Sequence, residues 1–431
     1  LLIRYRRAED GKPVAKAVVY TAGEHGIDRS GIDPDAVRII ERLRENGHEA
    51  YIVGGAVRDL LLGRVPKDFD IATDAQPSRI KRIFRSARVI GRRFRLVHVY
   101  AGPKIFEVST FRSIANGTVG NEFGTVDEDA HRRDFTLNAL YFDPHDSTLV
   151  DYVGGFKDIT AKRIEPVIPL KTIFKEDPVR MIRCVKYAAV AGFRIPLGVR
   201  RALKRDSSLL GQASPSRLTE EFIKILGSGC SAPVIEGLQR FDLLRHLLPE
   251  AARLVSERPA LKEAFLAELS ELDARARDPG QERGLAVLLA HYLKPFLESS
   301  VERFADTPES YREALRISRL FLAPLNPPRV ELEAAVLVVF KKRGVSPLQR
   351  PRREGQDRSR ARERAGAKAQ GQKAPPQARS GAEGPGEGPE ERPERAQTDD
   401  AAKKRRKRRR RRGGRGSGSG PAPEAGDGAA D

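Results

Sequence analysis

The sequence predicts an α+β head followed by an all-helical region and a basic tail, on three observations. Up to about residue 150, short apolar runs alternating with period two lie between glycine- and proline-bearing turns, with short helical patterns between them. From Asp151 onward the apolar spacing is helical, and past residue 345 hydrophobic residues nearly vanish. The expected division is a flexible arm over residues 1–30, a head of mixed sheet and helices over 31–150, and an all-α neck over 151–230. A helical body follows over 231–345, then a disordered Arg/Lys-rich tail over 346–431.

Each element has a local reason. Asp33 as N-cap with Pro34 at the first helical position opens a helix whose apolar stripe is Ala36, Val37, Ile40 and Leu43, and Gly47 ends it. A strand over 48–53, the turn Gly54-Gly55 and a short helix over 56–62 come next. A strand is expected over 68–73 and a basic helix over 77–85. Alternating strands over 93–100 and 105–111 are separated by Ala101-Gly-Pro-Lys104. A helix over 128–134 and a strand over 137–143 complete the head. Gly154-Gly155 then makes a turn, and Asp177-Pro178 starts a long helix reaching about Ala191. Helical segments are expected over 218–226, 233–241, 261–272, 285–296, 310–322 and 330–340, with no repeat period. The tail holds the unbroken basic run Lys403–Arg412, and it has too little apolar surface to offset the entropy of ordering.

The chain carries a net charge of +20, and the 26 basic and 13 acidic residues from Lys341 onward supply +13 of it. The first 340 residues remain basic, which suits a polyanionic partner. Only Cys184 and Cys230 occur, outside any zinc-like spacing, so a disulfide framework is not expected and a reducing, cytoplasmic setting is. No apolar run is long enough to span a membrane, and the apolar part of residues 1–7 is too short for a signal peptide.

The chemistry concentrates around Tyr51-Ile-Val-Gly-Gly-Ala-Val-Arg-Asp59 and Lys67-Asp-Phe-Asp70. A glycine turn feeding a helix presents backbone N–H groups to an anion, with Arg58 close by. On one strand Asp68 and Asp70 would leave the same face, and two like charges so placed call for a cation between them or a proton on one. Triphosphate on one side and divalent metal on the other point to nucleotidyl transfer. A solvated D-x-D at a strand end is the alternative. A third carboxylate would be Glu107, set between apolar strand neighbours, with a salt bridge to a neighbour such as Arg95 as its plain reading. Asp134 competes for that role, or for holding the nucleotide ribose with Arg133 on the triphosphate; a helix-end ion pair is its plain reading. Asp177 and Arg180 share a helix face and could read a base edge, or simply pair with each other. Arg183 and Lys186 continue that basic face. His98 is assigned no chemistry. The tail's basic run reads as non-specific phosphate contact or as a solvated segment.

Taken together, Gly54-Gly-Ala-Val-Arg-Asp59, Asp68-Phe-Asp70, Arg132-Arg-Asp-Phe-Thr136 and Glu176-Asp-Pro-Val-Arg180 resemble, in order and spacing, the motifs of class II nucleotidyltransferases, the bacterial poly(A) polymerases and CCA-adding tRNA nucleotidyltransferases. The resemblance covers roughly residues 30–230. Ile90-Gly-Arg-Arg-Phe-Arg-Leu-Val-His-Val99 and the basic tail are similar to the poly(A) polymerases in particular. The resemblance implies a catalytic head, neck, body and tail, with Asp68 and Asp70 as Mg2+ ligands and Asp134 or Glu107 completing the catalytic set. It further implies that Gly54, Gly55, Arg58, Arg133 and Asn138 hold the nucleotide while Asp177, Arg180, Arg183 and Lys186 face its base. Lys186 stands where the family usually has Arg, and Cys184-Val-Lys-Tyr187 replaces Ala-Val-Arg-Phe; Lys keeps the charge but loses the two-pronged donor. The expected activity is transfer of AMP from ATP to RNA 3′-ends without a template. A CCA-adding enzyme acting on tRNA, or a non-catalytic RNA-binding adaptor, are the alternatives.

Overall fold

The computed structural model describes residues 2–7, 13–91, 95–114, 122–276, 278 and 284–345. The expected tail over 346–431, with its run Lys403–Arg412, lies outside the described residues, as do residues 92–94 of the arginine-rich segment.

The head is built on nine strands: β1 (Leu2–Arg7), β2 (Pro13–Tyr20), β3 (Ala50–Val53), β4 (Asp70–Thr73), β5 (Ala87–Ile90), β6 (Leu96–Ala101), β7 (Lys104–Thr110), β8 (Leu140–Asp143) and β9 (Thr148–Asp151). They form one sheet in the order β1-β2-β9-β8-β3-β4-β7-β6-β5, mixed as expected, with β4–β7 its parallel pair and the other pairs antiparallel. Three expectations need correction. Within the arm expected over residues 1–30, residues 2–7 and 13–20 form β1 and β2, which extend the sheet through β9, because Val18, Val19 and Tyr20 find ladder partners in Asp151, Val150 and Leu149. The strand expected over 68–73 begins at Asp70, so Asp68 lies in the preceding loop. The strand expected over 137–143 is a short 3-10 turn, Thr136–Asn138, followed by β8.

The helix Pro34–Glu45 forms as the sequence implied. The Asp33 carboxylate accepts from the Asp35 amide at 2.9 Å, and Ala36, Ile39, Ile40 and Leu43 are buried. Behind the head, the neck helix Val179–Ala191 and the helix Pro215–Leu226 lead into the body helices Ser231–Arg240, Pro249–Glu257, Pro259–Arg275, Leu285–Ser300, Pro308–Leu322 and Arg329–Lys342. One apolar core runs from the strands of the head, through Met181, Ile182 and Val185, to Phe222, Phe265, Tyr292 and Phe296 in the body. Burying such side chains contributes about 1.5–3 kcal/mol each before the entropy of ordering is subtracted. Head, neck and body are therefore packed as one unit, and the relative position of head and neck is set by core rather than by linker.

Candidate active site

At the acid end of the site, β3 runs antiparallel to β4 with Val53 opposite Asp70, so the residue that follows Val53 turns directly over Asp70. That residue is Gly54, at φ 70° and ψ −129°, where a side chain is strained. A β-carbon at Gly54 would lie 3.6 Å from Arg133 Nη1 and 3.8 Å from Asp70 Oδ2, so backbone, cation and acid meet at the turn. On the other side of β4 the parallel ladder pairs Ile71 with Val108, which places Glu107 beside Asp70. Asp70 opens on the cleft yet is surrounded by protein. Its carboxyl is pushed up to about 6, first by loss of water, then by Glu107 and further by Asp68, against the pull of Arg133 and Lys224. Asp68 is exposed and not on the cleft wall. Glu107 Oε1 lies 3.5 Å from Nε2 of His98, its ladder neighbour; the expected partner Arg95 gives way to the residue directly across the strands.

Two arginines stand beside this acid group, each locked from behind. Arg58 donates from Nη1 to Asn138 Oδ1 at 3.1 Å and from Nε and Nη2 to Asp59 Oδ1 at 2.9 and 2.8 Å, with its guanidinium 5.6 Å from the Tyr187 ring centre. Arg133 donates to the Tyr141 hydroxyl, the Asn138 carbonyl and Asp129 Oδ2, each at 3.0 Å. Those bonds occupy three of the five N–H groups of a guanidinium. Burial works against the Arg133 charge, but Tyr141 and Asp129 outweigh it and hold the group firmly cationic. Tyr141 in turn donates to Asp129 at 2.7 Å. Asp129 and Tyr141 were not anticipated, because they lie on separate elements that only the sheet brings together.

At the far end the neck helix contributes Arg180 and Arg183, and Asp177 stands just before its start. Asp177 Oδ1 accepts the Val179 amide at 3.2 Å, capping the helix, and Oδ2 accepts Arg217 Nη2 at 2.6 Å, with Arg180 Nε 3.9 Å away. Arg180 Nη1 is 3.4 Å from both the Ile173 carbonyl and Glu176 Oε2. Arg183 donates from Nε to Glu221 Oε1 at 2.7 Å, and its Nη1 is 3.6 Å from Asp134 Oδ2. Asp134 also accepts the Phe135 amide at 2.8 Å. It therefore stands with Arg183 at the neck end, while Glu107 is the carboxylate beside Asp70. Lys186 departs from expectation: its ammonium is buried on Glu221 Oε2 at 2.7 Å, behind the cleft wall rather than on it, and burial lowers its pKa.

These residues enclose a cleft of about 640 Å³, lined among others by Gly54, Gly55, Arg58, Asp70, Glu107 and Arg133, and at the neck end by Asp134, Asn138, Asp177, Arg180 and Arg183. Tyr187, Arg112, Arg132, Arg217 and Lys224 line it too, unanticipated. Arg217, Glu221 and Lys224 had a legible signal: they recur at i, i+4 and i+7 on one helix beside the apolar stripe Leu218, Phe222 and Ile225. Among the described residues, the group whose donor atoms converge closely enough for a metal ion is Glu268, Glu271 and His291 in the body. There Lys294 Nζ at 2.5 Å and Lys342 Nζ at 3.3 Å already occupy the Glu268 oxygens, so that group is an internal ion-pair node. At the cleft the donor set differs: among the described residues Asp70 has no ion-pair partner within bonding distance and its neighbour Glu107 has His98 alone at 3.5 Å, which fits a divalent cation.

Comparison with known proteins agrees with this architecture. The family profile described as "Poly A polymerase head domain" matches residues 50–165, and that described as "Probable RNA and SrmB- binding site of polymerase A" matches residues 192–254. The chain is 35% identical to the Poly(A) polymerase I of Escherichia coli O6:H1 over 329 residues, covering 72% of this chain and 71% of that one. It is 32% identical to the CCA-adding enzyme of Bacillus velezensis over 297 residues, 67% of this chain and 72% of the other. Among solved structures, the Bacillus stearothermophilus CCA-adding enzyme in complex with CTP superposes with a TM-score of 0.50 at 27% identity, covering 72% of this chain and 83% of that one.

Proposed function

The chain belongs to the class II nucleotidyltransferase family of bacterial poly(A) polymerases and CCA-adding enzymes, and from that premise we propose that it transfers AMP from ATP to RNA 3′-ends without a template. The observation that carries the chemistry is the Asp70–Glu107 pair set against the Gly54-Gly55 turn and Arg133. The matches to the Poly(A) polymerase I sequences, 35–36% identical over 313–329 residues, are longer than those to CCA-adding enzymes, 32% over 297 and 36% over 218, and this greater extent supports ATP as the repeated substrate.

Nucleotidyltransferases of this family use divalent metal ions; magnesium held by Asp70, with Glu107 and Asp68 as further ligands, would supply charge neutralisation at the reacting phosphate. The chain's own residues do the positioning. The Gly54-Gly55 backbone, Arg58 and Arg133 receive the triphosphate, and Asn138 fixes both arginines. Asp134 serves the ribose, while Asp177 and Arg180 take the base edge and Arg183 closes that wall. Lys186 supports Arg183 through Glu221 instead of touching the nucleotide. Tyr187, 5.6 Å from Arg58, supplies an apolar ring to the same wall. RNA is gripped by its backbone, with affinity that falls with salt.

The test is incorporation with each of the four nucleotides supplied alone, on tRNA and on an unrelated RNA. Long homopolymers from ATP on either RNA are expected. Products ending after C, C and A on tRNA would favour the CCA-adding reading, which the similarity to CCA-adding enzymes also supports. RNA retention with no incorporation from any nucleotide would favour an adaptor.

A further inference from the structure

The helix Pro215–Leu226 turns Leu218, Phe222 and Ile225 into the core, puts Arg217 and Lys224 on the cleft wall, and holds the buried Glu221 behind it. Arg217 is bonded to Asp177 at the neck end, and Glu221 holds Arg183 and Lys186 at 2.7 Å each. Lys224 lines the cleft at the acid end, where its charge acts on Asp70. At 1.5 Å per residue Arg217 and Lys224 stand about 10 Å apart along the wall. The helix thus runs alongside the nucleotide path from base to reacting phosphate.

Lys224 differs from the other two in what holds it. Its Nζ lies 2.6 Å from Glu220 Oε1, and both side chains are at least half exposed. An ion pair of that kind contributes little and is cheaply exchanged. The cleft arginines Arg58, Arg133, Arg180, Arg183 and Arg217 are tied into head and neck by the bonds described above. Lys224 is also the one lysine among the described residues lining the cleft, and a compact ammonium suits a single phosphate oxygen.

In-line displacement fixes what arrives there. The triphosphate lies on the Gly54, Arg58 and Arg133 side, so the attacking oxygen comes from the opposite side of the α-phosphorus. An RNA end approaching Asp70 and Glu107 brings a phosphodiester toward two acids, and that approach is repulsive without a cation. We propose that Lys224 binds the last phosphodiester of the RNA primer and so positions its 3′-hydroxyl. The inference rests on the nucleotidyl-transfer reading. In the step it serves, the 3′-oxygen bonds to the α-phosphorus and the α–β bridging bond breaks. Pyrophosphate leaves, the hydroxyl proton passes to a cleft carboxylate, and Lys224 takes no part in the bond changes.

The test uses the full chain with Lys224→Met and Lys224→Arg, a four-nucleotide oligoadenylate primer too short to bridge to distant basic segments, and ATP. Lys224→Met should raise the primer KM about tenfold, the loss of roughly 1.4 kcal/mol of contact, with the ATP KM within about twofold and the thermal midpoint unchanged. Lys224→Arg should recover most of the primer affinity. The dependence of primer affinity on log salt should become shallower by about 0.7 for one lost contact to a single strand. A higher ATP KM at unchanged primer KM would overturn the assignment, as would no change in either. Wild-type incorporation is measured first, so a chain that builds CCA on tRNA refutes the adenylyl product while the same KM comparison on tRNA still judges Lys224. If no nucleotide is incorporated at all, nucleotide-free binding of labelled primer reads the salt slope, and an unchanged slope in Lys224→Met overturns the proposal.

Discussion

Asp70, open on the cleft of the head, and Glu268, buried in the body, are both acids shifted by their surroundings, and their pKa values move in opposite directions. Asp70 is pushed up to about 6 by loss of water and by Glu107 and Asp68. Glu268 is held down at about 2: burial opposes its charge, but His291, Lys294 and Lys342 more than offset it. One carboxylate stands beside a like charge on the next strand, at the wall of an open cleft; the other is held by opposite charges. A node of paired charges is complete as folded, whereas Asp70, with no ion pair among the described residues, needs something from outside. The difference teaches which of the two regions is a site and which is scaffold.

The largest effect should come from the cleft. Asp70→Asn should lower incorporation about 10³-fold, the order expected when a charge-stabilising group leaves an active site, with RNA retention little changed; near-normal turnover would remove Asp70 from the chemistry. Asp68→Asn should also abolish synthesis while sparing RNA retention, and mild loss would mark that exposed acid as peripheral. Next is the support behind the neck wall. Glu221→Ala leaves the buried Lys186 and the half-buried Arg183 without their shared partner and should cost about 3 kcal/mol of stability, with a raised KM for ATP; thermal unfolding and nucleotide titration check the two parts separately.

The body should answer differently. Glu268→Gln should cost about 2 kcal/mol, the scale of hydrogen bonds to a charged group, while kcat and both KM values stay at wild-type levels below the unfolding range. Its stabilising contribution is full above the ordinary Glu value of 4.5 and is lost as pH falls toward about 2, so the variant should show a flatter acid limb. A kinetic defect in Glu268→Gln would make the body node part of the site and erase the contrast.

The smallest effect is the pH dependence of the metal-free cleft, and its sign is the reverse. Because the folded Asp70 value lies above its ordinary 3.8, the native state binds the proton more tightly. Its ionisation therefore destabilises the fold as pH rises from about 4 through 6, and fully so above. The thermal midpoint of the wild type relative to Asp70→Asn should fall across that interval. Magnesium should restore it in the wild type alone. A difference that does not vary with pH would contradict the strained acid.

Much of this was legible in the chain. The Gly54-Gly55 turn, Asp70 and the start of the neck helix at Asp177-Pro178 are local features, each decided by a handful of adjacent residues whose backbone preferences agree. Helices of the body were legible from spacing because an amphipathic stripe is a property of one segment. Membership of the class II nucleotidyltransferases was carried by four short motifs at characteristic separations. What went astray was non-local. Residues 2–7 and 13–20 look like a polar arm until β9 offers them an edge, and Asp68 shares a face with Asp70 only if the strand begins two residues earlier than it does.

The division between Glu107 and Asp134 shows the same limit most clearly. Both are acids at plausible distances along the chain, and nothing in their neighbours separates them. The parallel pairing of β4 with β7 puts Glu107 beside Asp70, and the packing of the neck helix puts Asp134 near Arg183. The pins behind Arg133 and the charges of Pro215–Leu226 likewise took their partners only on folding. The linear order of residues specified the chemical groups and the local conformations that bear them. Long-range strand pairing and core packing assigned each group its neighbours, because a charge's role depends on what lies within a few ångströms of it, and that distance is not written along the chain.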